Sequence, residues 1–217
     1  NVGVDKDLGA PDPVEFSEEI KEAKGIRDEA ESLVRGFMKE ARMGGAISAE
    51  NVHATVEKMI DSIFRNKDAI VSLTMLKSFD DYTFAHSVNV AILSLAVGRG
   101  LGLDRNSLFD LGAGAVLHDV GKTRVPEAIL KKPGRLTEDE FAVMKRHPEL
   151  GAGLLSSTKG IKNESVRAAL EHHERYNGAG YPKGLNGIET HPYARITSVA
   201  DIYDAMTSAR VYQRPLM

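Results

Sequence analysis

The sequence predicts an all-α fold, in which a helical bundle surrounds one central helix that is apolar almost all the way round. Apolar residues recur at three- and four-residue steps along most of the chain. Glycine and proline fall between these periodic segments, and no alternating strand pattern of convincing length occurs. With 217 residues, the chain is large enough for one substantial core, or for one domain with a short addition.

The composition excludes several classes of protein. The formal net charge is only -3, so the chain lacks the broad cationic field of a general DNA or membrane-surface binder. It has no cysteine, which excludes disulfides, thiolate metal sites and cysteine nucleophiles. There is no apolar run of about 18 residues and no signal-peptide pattern. We therefore expect a cytoplasmic protein that has no membrane segment and does not bind DNA.

The N-terminal part is predicted to be a linker followed by helices. Residues 1–16 are rich in glycine, proline and acidic residues, so we interpret them as a linker or disordered start. Helical periodicity begins at Ser17, and the glycine pair after Met43 ends the first helix.

Two more helices complete this lead-in. Ser48 is the predicted N-cap of a second helix that runs to about Arg65, and residues 68–79 are predicted to form a third. Residues 17–79 are thus an N-terminal helical lead-in, made of a hairpin and a connecting helix. The apolar stripe of the hairpin fits two arrangements, packing on its own domain or pairing with a second copy in a homodimer.

The remaining residues, 80–217, contain the most apolar helices. Residues 83–98 have no polar face, which is typical of a helix at the centre of a bundle. Thr137 and Glu140 have the spacing of a capping box, and the helix that they open is predicted to stop at His147-Pro148. The other predicted helices span residues 104–118, about 164–174 and about 193–209.

Seven ionisable residues lie in apolar surroundings on five of these helices. They are His86, His118, Asp119, His147, His172, His173 and Asp201. One such histidine is usually a hydrogen-bonded structural residue. Seven in one core are costly to bury unpaired, and a metal cation satisfies imidazoles and carboxylates together. The set therefore predicts a metal centre, whereas the isolated His53 and His191 are predicted not to be ligands.

The number and type of ligands predict more than one ion. Asp119 has two carboxylate oxygens, which are able to bridge two cations about 3.5–4 Å apart, a separation useful for phosphoester chemistry. Seven candidates are too many for one tetrahedral site. We expect two divalent ions; mixed nitrogen and oxygen ligands suit iron, manganese, zinc and nickel, and do not choose among these four metals.

Three further residues are candidates for contacts with a substrate. Lys122 follows the His-Asp pair after a flexible glycine and is able to reach a phosphate; the alternative is a solvated lysine at a helix end. Arg210 is either a second phosphate contact or a surface charge. Tyr181 offers a ring and a hydroxyl from the loop 177–182, which by itself predicts only a tight turn.

Taken together, these motifs resemble the HD-GYP branch of the HD phosphohydrolase superfamily. The resemblance covers roughly residues 80–214. It rests on HSVNVA from His86, HDVGK from His118, His147-Pro148, HHERYNGAGYP from His172 and RITSVADIYDAMTSAR from Arg195. It implies an HD-domain helical bundle and a metal-dependent phosphodiesterase that hydrolyses cyclic di-GMP to pGpG and/or GMP.

The resemblance also implies roles for individual residues. The ligands of one metal would be His86, His118, Asp119 and Asp201. Those of the other metal would be Asp119, His147, His172 and His173. The residues implied in catalysis are Lys122 and Asp119, and those implied in substrate binding are Lys122, Arg210, Tyr181 and Arg214. Asn89 and Asp204 are expected to support the ligands from behind.

The chain departs from the family pattern at two positions. Tyr82 stands where some members have a glutamate that helps to hold a third metal, so we expect a dinuclear centre. Gln213 stands where the family often has a second basic residue, with Arg214 beside it. Relatives also extend further, so residues 80–217 are expected to be a catalytic domain that is truncated at its C-terminus.

The mechanism expected from these features is attack of a metal-bridging hydroxide on phosphorus. Two alternatives to this function stay open. The first is another specificity, for cyclic GMP-AMP or pGpG. The second is a non-catalytic signalling module that binds a cyclic dinucleotide, or a partner such as a diguanylate cyclase through its GYP loop.

Overall fold

The computed structural model describes residues 11–76 and 82–207 and confirms the all-α prediction. Within these two ranges there is no β-strand, only one isolated bridge between Asn177 and Asn186. The elements are α1 (Phe16–Arg42), α2 (Ala49–Leu73), α3 (Tyr82–Gly100), α4 (Arg105–Val116), a 3-10 helix (Val120–Arg124), α5 (Glu127–Leu130), α6 (Glu138–Met144), α7 (His147–Ser156), α8 (Asn163–Glu171) and α9 (Pro192–Thr207).

Helix α3 lies at the centre, as its all-round apolar sequence predicts. It packs against α1, α2, α4 and α9, and α8 packs against α4, α7 and α9. Apolar side chains from α1 to α4, the 3-10 helix and α7 to α9 join one buried cluster, which includes Val34, Ile60, Ile92, Leu155 and Ala200. None of the helices in the described ranges is long and apolar enough to cross a membrane.

Helix α2 contains a break where the sequence predicts the end of one helix and the start of another. Asn66 has non-helical dihedral angles, φ -158° and ψ 96°. Its Oδ1 accepts a hydrogen bond from the backbone nitrogen of Ala69 at 3.3 Å, which is the bond that an N-cap residue makes. The predicted boundary between Arg65 and residue 68 is therefore confirmed. The predicted third helix, residues 68–79, ends earlier than expected, at Leu73 within α2, and residues 74–76 are not helical. Residues 77–79 lie outside the described ranges.

The prediction for the helix that Thr137 opens is only partly right. The capping box is present, with Thr137 and Glu140 each bonding the backbone of the other. The helix, however, ends at Met144, and His147 is the first residue of a separate helix, α7, rather than the last residue of α6. Pro148 lies in the first turn of α7, where no intrahelical bond needs its missing N–H, so it starts a helix here instead of ending one.

A buried carboxylate joins the two helices of the N-terminal hairpin. Glu19 is 1% exposed and accepts hydrogen bonds from the hydroxyl of Ser62 at 2.6 Å and from Nε of Arg65 at 2.6 Å. The hydrogen bond to Glu19 raises the pKa of Arg65, although burial opposes this. Arg65 also reaches Glu22 at 3.0 Å, but the Glu22 side chain is 62% exposed.

Replacing Glu19 should therefore destabilise the fold far more than replacing Glu22. Glu19→Ala leaves Ser62 and Arg65 without their acceptor, and we expect the free energy of unfolding to fall by about 2–3 kcal/mol. Glu22→Ala removes a solvent-screened contact with the same arginine, so its effect should stay within experimental error. Urea unfolding of both variants measures the difference, and equal midpoints would contradict a structural role for Glu19.

Candidate metal centre

The seven predicted ligands lie together at the ends of helices that are far apart in sequence. His86 comes from α3 and Asp201 from α9, while the other five lie at or next to the ends of α4, α7 and α8. Apart from Asp201, these residues form two groups, and within each group all ligand atoms lie within 4.8 Å of one another. Asp119 belongs to both groups. One group is Asp119, His147, His172 and His173, and the other is His86, His118 and Asp119. Asp201 extends the second group, because its Oδ1 is 3.0 Å from Nε2 of His86.

Three of the histidines are oriented in the same way, by a carbonyl oxygen three residues earlier in the chain. Each Nδ1–H donates to an oxygen among the last four carbonyls of a helix, which have no partner within the helix. A carbonyl only accepts, so the proton is on Nδ1 and the lone pair of Nε2 faces the cluster. The pairs are His118 with Ala115 at 2.7 Å, His147 with Met144 at 2.8 Å, and His172 with Ala169 at 2.7 Å.

This orientation leaves buried acceptor atoms facing one another. Nε2 of His147 is 3.3 Å from Nε2 of His172, and 3.3 Å from Oδ1 of Asp119. Burial lowers the pKa of both histidines to about 3, so both rings are neutral at pH 7 and neither Nε2 carries a proton to share. Nε2 of His118 and Oδ1 of Asp119 are also buried without a hydrogen-bond partner among the described residues.

A divalent cation is the group that this set of atoms fits. Converging lone pairs without a donor are costly to bury, and a cation turns each of them into a favourable contact. Nitrogen and carboxylate oxygen are ligands of iron, manganese, zinc and nickel alike. The donor types therefore fit the predicted divalent ions.

The other side of the cluster is organised around His86. Burial opposes a charge on this ring, but hydrogen bonds with Asp201 and Asp204 raise the pKa of His86 to about 9. Its Nδ1–H donates to Oδ2 of Asp204 at 2.7 Å, and Asn89 donates its amide to Oδ1 of the same carboxylate at 2.9 Å. Asp204 is fully buried. The structure thus places Asn89 and Asp204 behind His86, where the sequence interpretation expects supporting residues.

Lys122 lies against the shared carboxylate. Its Nζ is 2.5 Å from Oδ2 of Asp119, and its side chain is 32% exposed. Burial would raise the pKa of Asp119, but Lys122 and His118 together hold it well below its usual range. Lys122 therefore presents a positive charge at the edge of the cluster, partly open to solvent.

Gly121 has a different role from the one that the sequence suggests. It is not merely a flexible link before Lys122, because it is buried where the 3-10 helix touches α7. A Cβ atom at this position would overlap the carbonyl oxygen of His147 and the backbone of Gly151. The absence of a side chain lets the backbone that carries Asp119 approach the one that carries His147.

The GYP loop, which spans residues 177–182 and contains Gly180-Tyr181-Pro182, lies beside the ligand cluster. The ring of Tyr181, half-buried, is 4.8 Å from the ring of His173. The backbone nitrogen of Tyr181 donates to the carbonyl oxygen of His173 at 3.2 Å. Burial raises the pKa of the Tyr181 hydroxyl, so the phenol is neutral at pH 7.

The sequence interpretation missed two buried carboxylates beside the His172-His173 pair. Glu174 accepts hydrogen bonds from the backbone nitrogens of Lys183 at 2.7 Å and Leu185 at 2.9 Å. Glu171 accepts one from the backbone nitrogen of His191 at 2.8 Å. Both glutamates are less than 10% exposed and hold the GYP loop and its continuation onto the end of α8. The only signal in the sequence is their position on either side of the two histidines.

The other predicted residues lie away from the cluster or outside the described ranges. His53 bonds through Nε2 to the carbonyl oxygen of Gly160 at 3.1 Å. Nδ1 of His191 accepts from the backbone nitrogen of Tyr193 at 3.2 Å. Both contacts are outside the two ligand groups. Arg210 and Arg214, the predicted phosphate contacts of the last segment, lie outside the described residues.

Adding one methyl group at Gly121 should disturb the ligand cluster. Gly121→Ala has to push α7 and His147 away, so we expect weaker metal binding and a loss of about 1–3 kcal/mol in the free energy of unfolding. Gly153→Ala is the matched control in α7, because its Cβ would meet no atom within 4 Å. Metal competition titrations and urea unfolding measure both effects. Equal metal affinity and equal stability of the two variants would show that the close contact of Gly121 with α7 does not support the ligand cluster.

Comparison with known proteins gives the family. The HD domain model matches residues 59–217. A cyclic di-GMP phosphodiesterase of Pseudomonas aeruginosa is 39% identical over 205 residues, which are 94% of this chain and 50% of the relative. A 3'3'-cGAMP-specific phosphodiesterase of Vibrio cholerae is 30% identical over 193 residues, which are 88% of this chain and 36% of the relative.

The fold also matches a solved structure. An HDG"Y"P protein from Bdellovibrio bacteriovorus superimposes with a TM-score of 0.73 at 23% identity, over 95% of this chain and 63% of that chain. This likeness shows the fold. The chain spans half or less of the length of the two phosphodiesterases that it matches. Because the HD domain model covers most of its residues, the chain belongs to the HD domain family.

Proposed function

We propose that this chain is a metal-dependent phosphodiesterase that hydrolyses cyclic di-GMP to pGpG and/or GMP. The observation that carries the proposal is the pair of buried ligand groups that share the Asp119 carboxylate. Shared carboxylates of this kind hold two metal ions in enzymes that cleave phosphoesters. The name of the relative from Pseudomonas aeruginosa supports cyclic di-GMP as the substrate.

Two divalent ions, iron or manganese before zinc or nickel, would occupy the two ligand groups. In the proposed arrangement His86, His118 and Asp201 would hold one ion, and His147, His172 and His173 would hold the other. Asp119 is shared. When bound, such ions activate water at neutral pH and polarise a phosphate.

The protein residues supply orientation and charge around this centre. The backbone carbonyls fix the tautomers of His118, His147 and His172, so that their Nε2 lone pairs face the site before metal or substrate arrives. Asp204 orients the ring of His86 by accepting its Nδ1–H. Lys122 offsets negative charge that develops on the non-bridging phosphate oxygens, because its ammonium group lies beside Asp119 at the open edge. Arg210 and Arg214 stay predicted phosphate contacts, and Tyr181 a predicted substrate contact.

Several expectations about the surroundings of the protein stay predictions. They are a cytoplasmic location, the absence of DNA binding, a homodimer through the N-terminal helices, and a diguanylate cyclase partner at the GYP loop. The division into a lead-in of residues 17–79 and a catalytic domain of residues 80–217 also stays a prediction.

The sharpest test of the proposed function is to neutralise the shared carboxylate. Asp119→Asn should remove stoichiometric metal and turnover of cyclic di-GMP together, because one amide oxygen cannot bridge two cations. The helical circular dichroism spectrum should stay unchanged. Asp110→Asn is the control, since Asp110 is also buried but pairs with Lys162 at 3.0 Å, outside the ligand groups. Metal analysis under anaerobic conditions and product chromatography provide the two readouts. A variant that keeps two ions and full turnover would refute the proposal.

A second specificity is supported by three relatives from Vibrio cholerae that are named as 3'3'-cGAMP-specific phosphodiesterases. Metal ions act on the phosphate, which both cyclic dinucleotides share, so base recognition decides between them. Turnover of cyclic di-GMP, 3'3'-cGAMP and pGpG, measured in parallel with manganese or iron, identifies the preferred substrate. Binding without hydrolysis of any of the three would instead support the non-catalytic signalling module.

A further inference from the structure

One predicted ligand, His173, is held in a different way from the other histidines of the cluster. The other four each donate Nδ1–H to an acceptor, either a helix-end carbonyl or the carboxylate of Asp204. The ring of His173 has no hydrogen bond to any residue in the described part of the chain. Its orientation therefore depends on packing alone.

The packing comes from three aromatic rings. Tyr181 lies 4.8 Å away at an interplanar angle of 32°, on the side of the GYP loop. His172 lies 4.1 Å away at 42°, and His147 lies 5.0 Å away at 84°. His172 and His147 are themselves fixed by backbone carbonyls. Of these three rings, only that of Tyr181 belongs to a loop, and within the described residues no hydrogen bond to a backbone carbonyl fixes its side chain in place.

The loop is fastened to the residue next to His173. Glu174 accepts the backbone N–H groups of Lys183 and Leu185, which lie just after Tyr181-Pro182. Gly180 lies so close to the backbone of Glu174 and Arg175 that a Cβ atom there would overlap it. Tyr181 itself donates its backbone N–H to His173. The two neighbouring residues His173 and Glu174 therefore provide both the candidate ligand and the contacts that hold the loop of Tyr181 beside it.

We propose that Tyr181 is a positioning residue for the metal ligand His173, and that Glu174 fixes the loop that brings it there. A ring stacked on one face restricts rotation of the imidazole about its side-chain bonds, which in the other histidines is done by a hydrogen bond. This role differs from the substrate contact expected from the sequence, because it acts on metal affinity before any substrate binds. It rests on the proposed dinuclear site.

Substitutions of Tyr181 distinguish the positioning of His173 from a contact with the substrate. The stack requires the ring and not the hydroxyl, for which the described residues provide no hydrogen-bond partner. Tyr181→Phe keeps the stack, whereas Tyr181→Leu keeps an apolar side chain but removes the aromatic face. Tyr203→Leu is the matched control, because Tyr203 is 48% exposed on α9 and outside both ligand groups.

The experiment measures the affinity of manganese for the metal-free chain by anaerobic competition titration. We expect the dissociation constant of the weaker of two ions to rise about tenfold in Tyr181→Leu, the scale seen when a ligand loses its support. In Tyr181→Phe and Tyr203→Leu it should change less than about twofold. Unchanged affinity in Tyr181→Leu, with only the KM for cyclic di-GMP raised, would overturn the proposal in favour of a substrate contact.

Substitution of Glu174 tests the fastening of the loop. In Glu174→Gln an amide group replaces one oxygen that accepts a backbone N–H, so we expect the same ion to bind more weakly. Glu189→Gln is the control in the same loop, because Glu189 is exposed and accepts only from the backbone of Asn186. Equal affinities in the two variants would show that Glu174 does not fix the loop.

A measurement without metal separates this inference from the proposed function. In the metal-free chain, the ring protons of His173 should show an upfield ring-current shift in the NMR spectrum, retained in Tyr181→Phe and lost in Tyr181→Leu. The absence of this shift in the unsubstituted chain would refute the stack itself. A chain that shows the shift and binds a single ion would refute the dinuclear site, and with it the role of Tyr181 toward a second ion.

Discussion

The structure depends on one constraint, the burial of a carboxylate among imidazole lone pairs. Asp119 is only 2% exposed, and Nε2 of His118 and Nε2 of His147 lie 3.4 Å and 3.3 Å from its oxygens. Lys122 is the one cation that contacts it within the described residues, and Lys122 reaches only Oδ2. Without a bound cation, the burial of the remaining acceptor atoms would cost a large desolvation free energy that no hydrogen bond offsets. The burial is therefore best explained by cations bound between the ligands.

Backbone carbonyls at the C-terminal ends of helices orient three of the candidate ligand histidines. The last carbonyls of a helix lack partners, and His118, His147 and His172 each follow a helix closely enough to donate Nδ1–H to one of them. One bond satisfies the carbonyl, fixes the tautomer and directs Nε2 inward. The C-terminal ends of α4, α6 and α8 also carry partial negative charge, which favours cations nearby. The same geometry thus serves folding and ligand orientation.

The sequence singled out the candidate ligands because each is a polar residue in an apolar segment, which is a local property. The central helix and the break near Asn66 were also predicted from a local signal, the pattern of apolar residues. What the sequence did not reveal depends on contacts between distant segments. His147 begins α7, which packs on the 3-10 helix, rather than ending α6. The roles of Gly121, Glu171 and Glu174 likewise depend on backbone atoms that come close only after folding.

The N-terminal hairpin shares the core that holds the ligands. Val56 of α2 lies where a Cβ on Gly112 of α4 would stand, so α2 and α4 are in close contact. Helix α1 packs against α3, which carries His86, and against the 3-10 helix, which begins one residue after Asp119. Because packed cores transmit displacement rather than absorb it, a shift of α1 would be felt at both ligand groups. Whatever the hairpin contacts outside this chain, its position and the geometry of the candidate metal ligands are therefore physically linked.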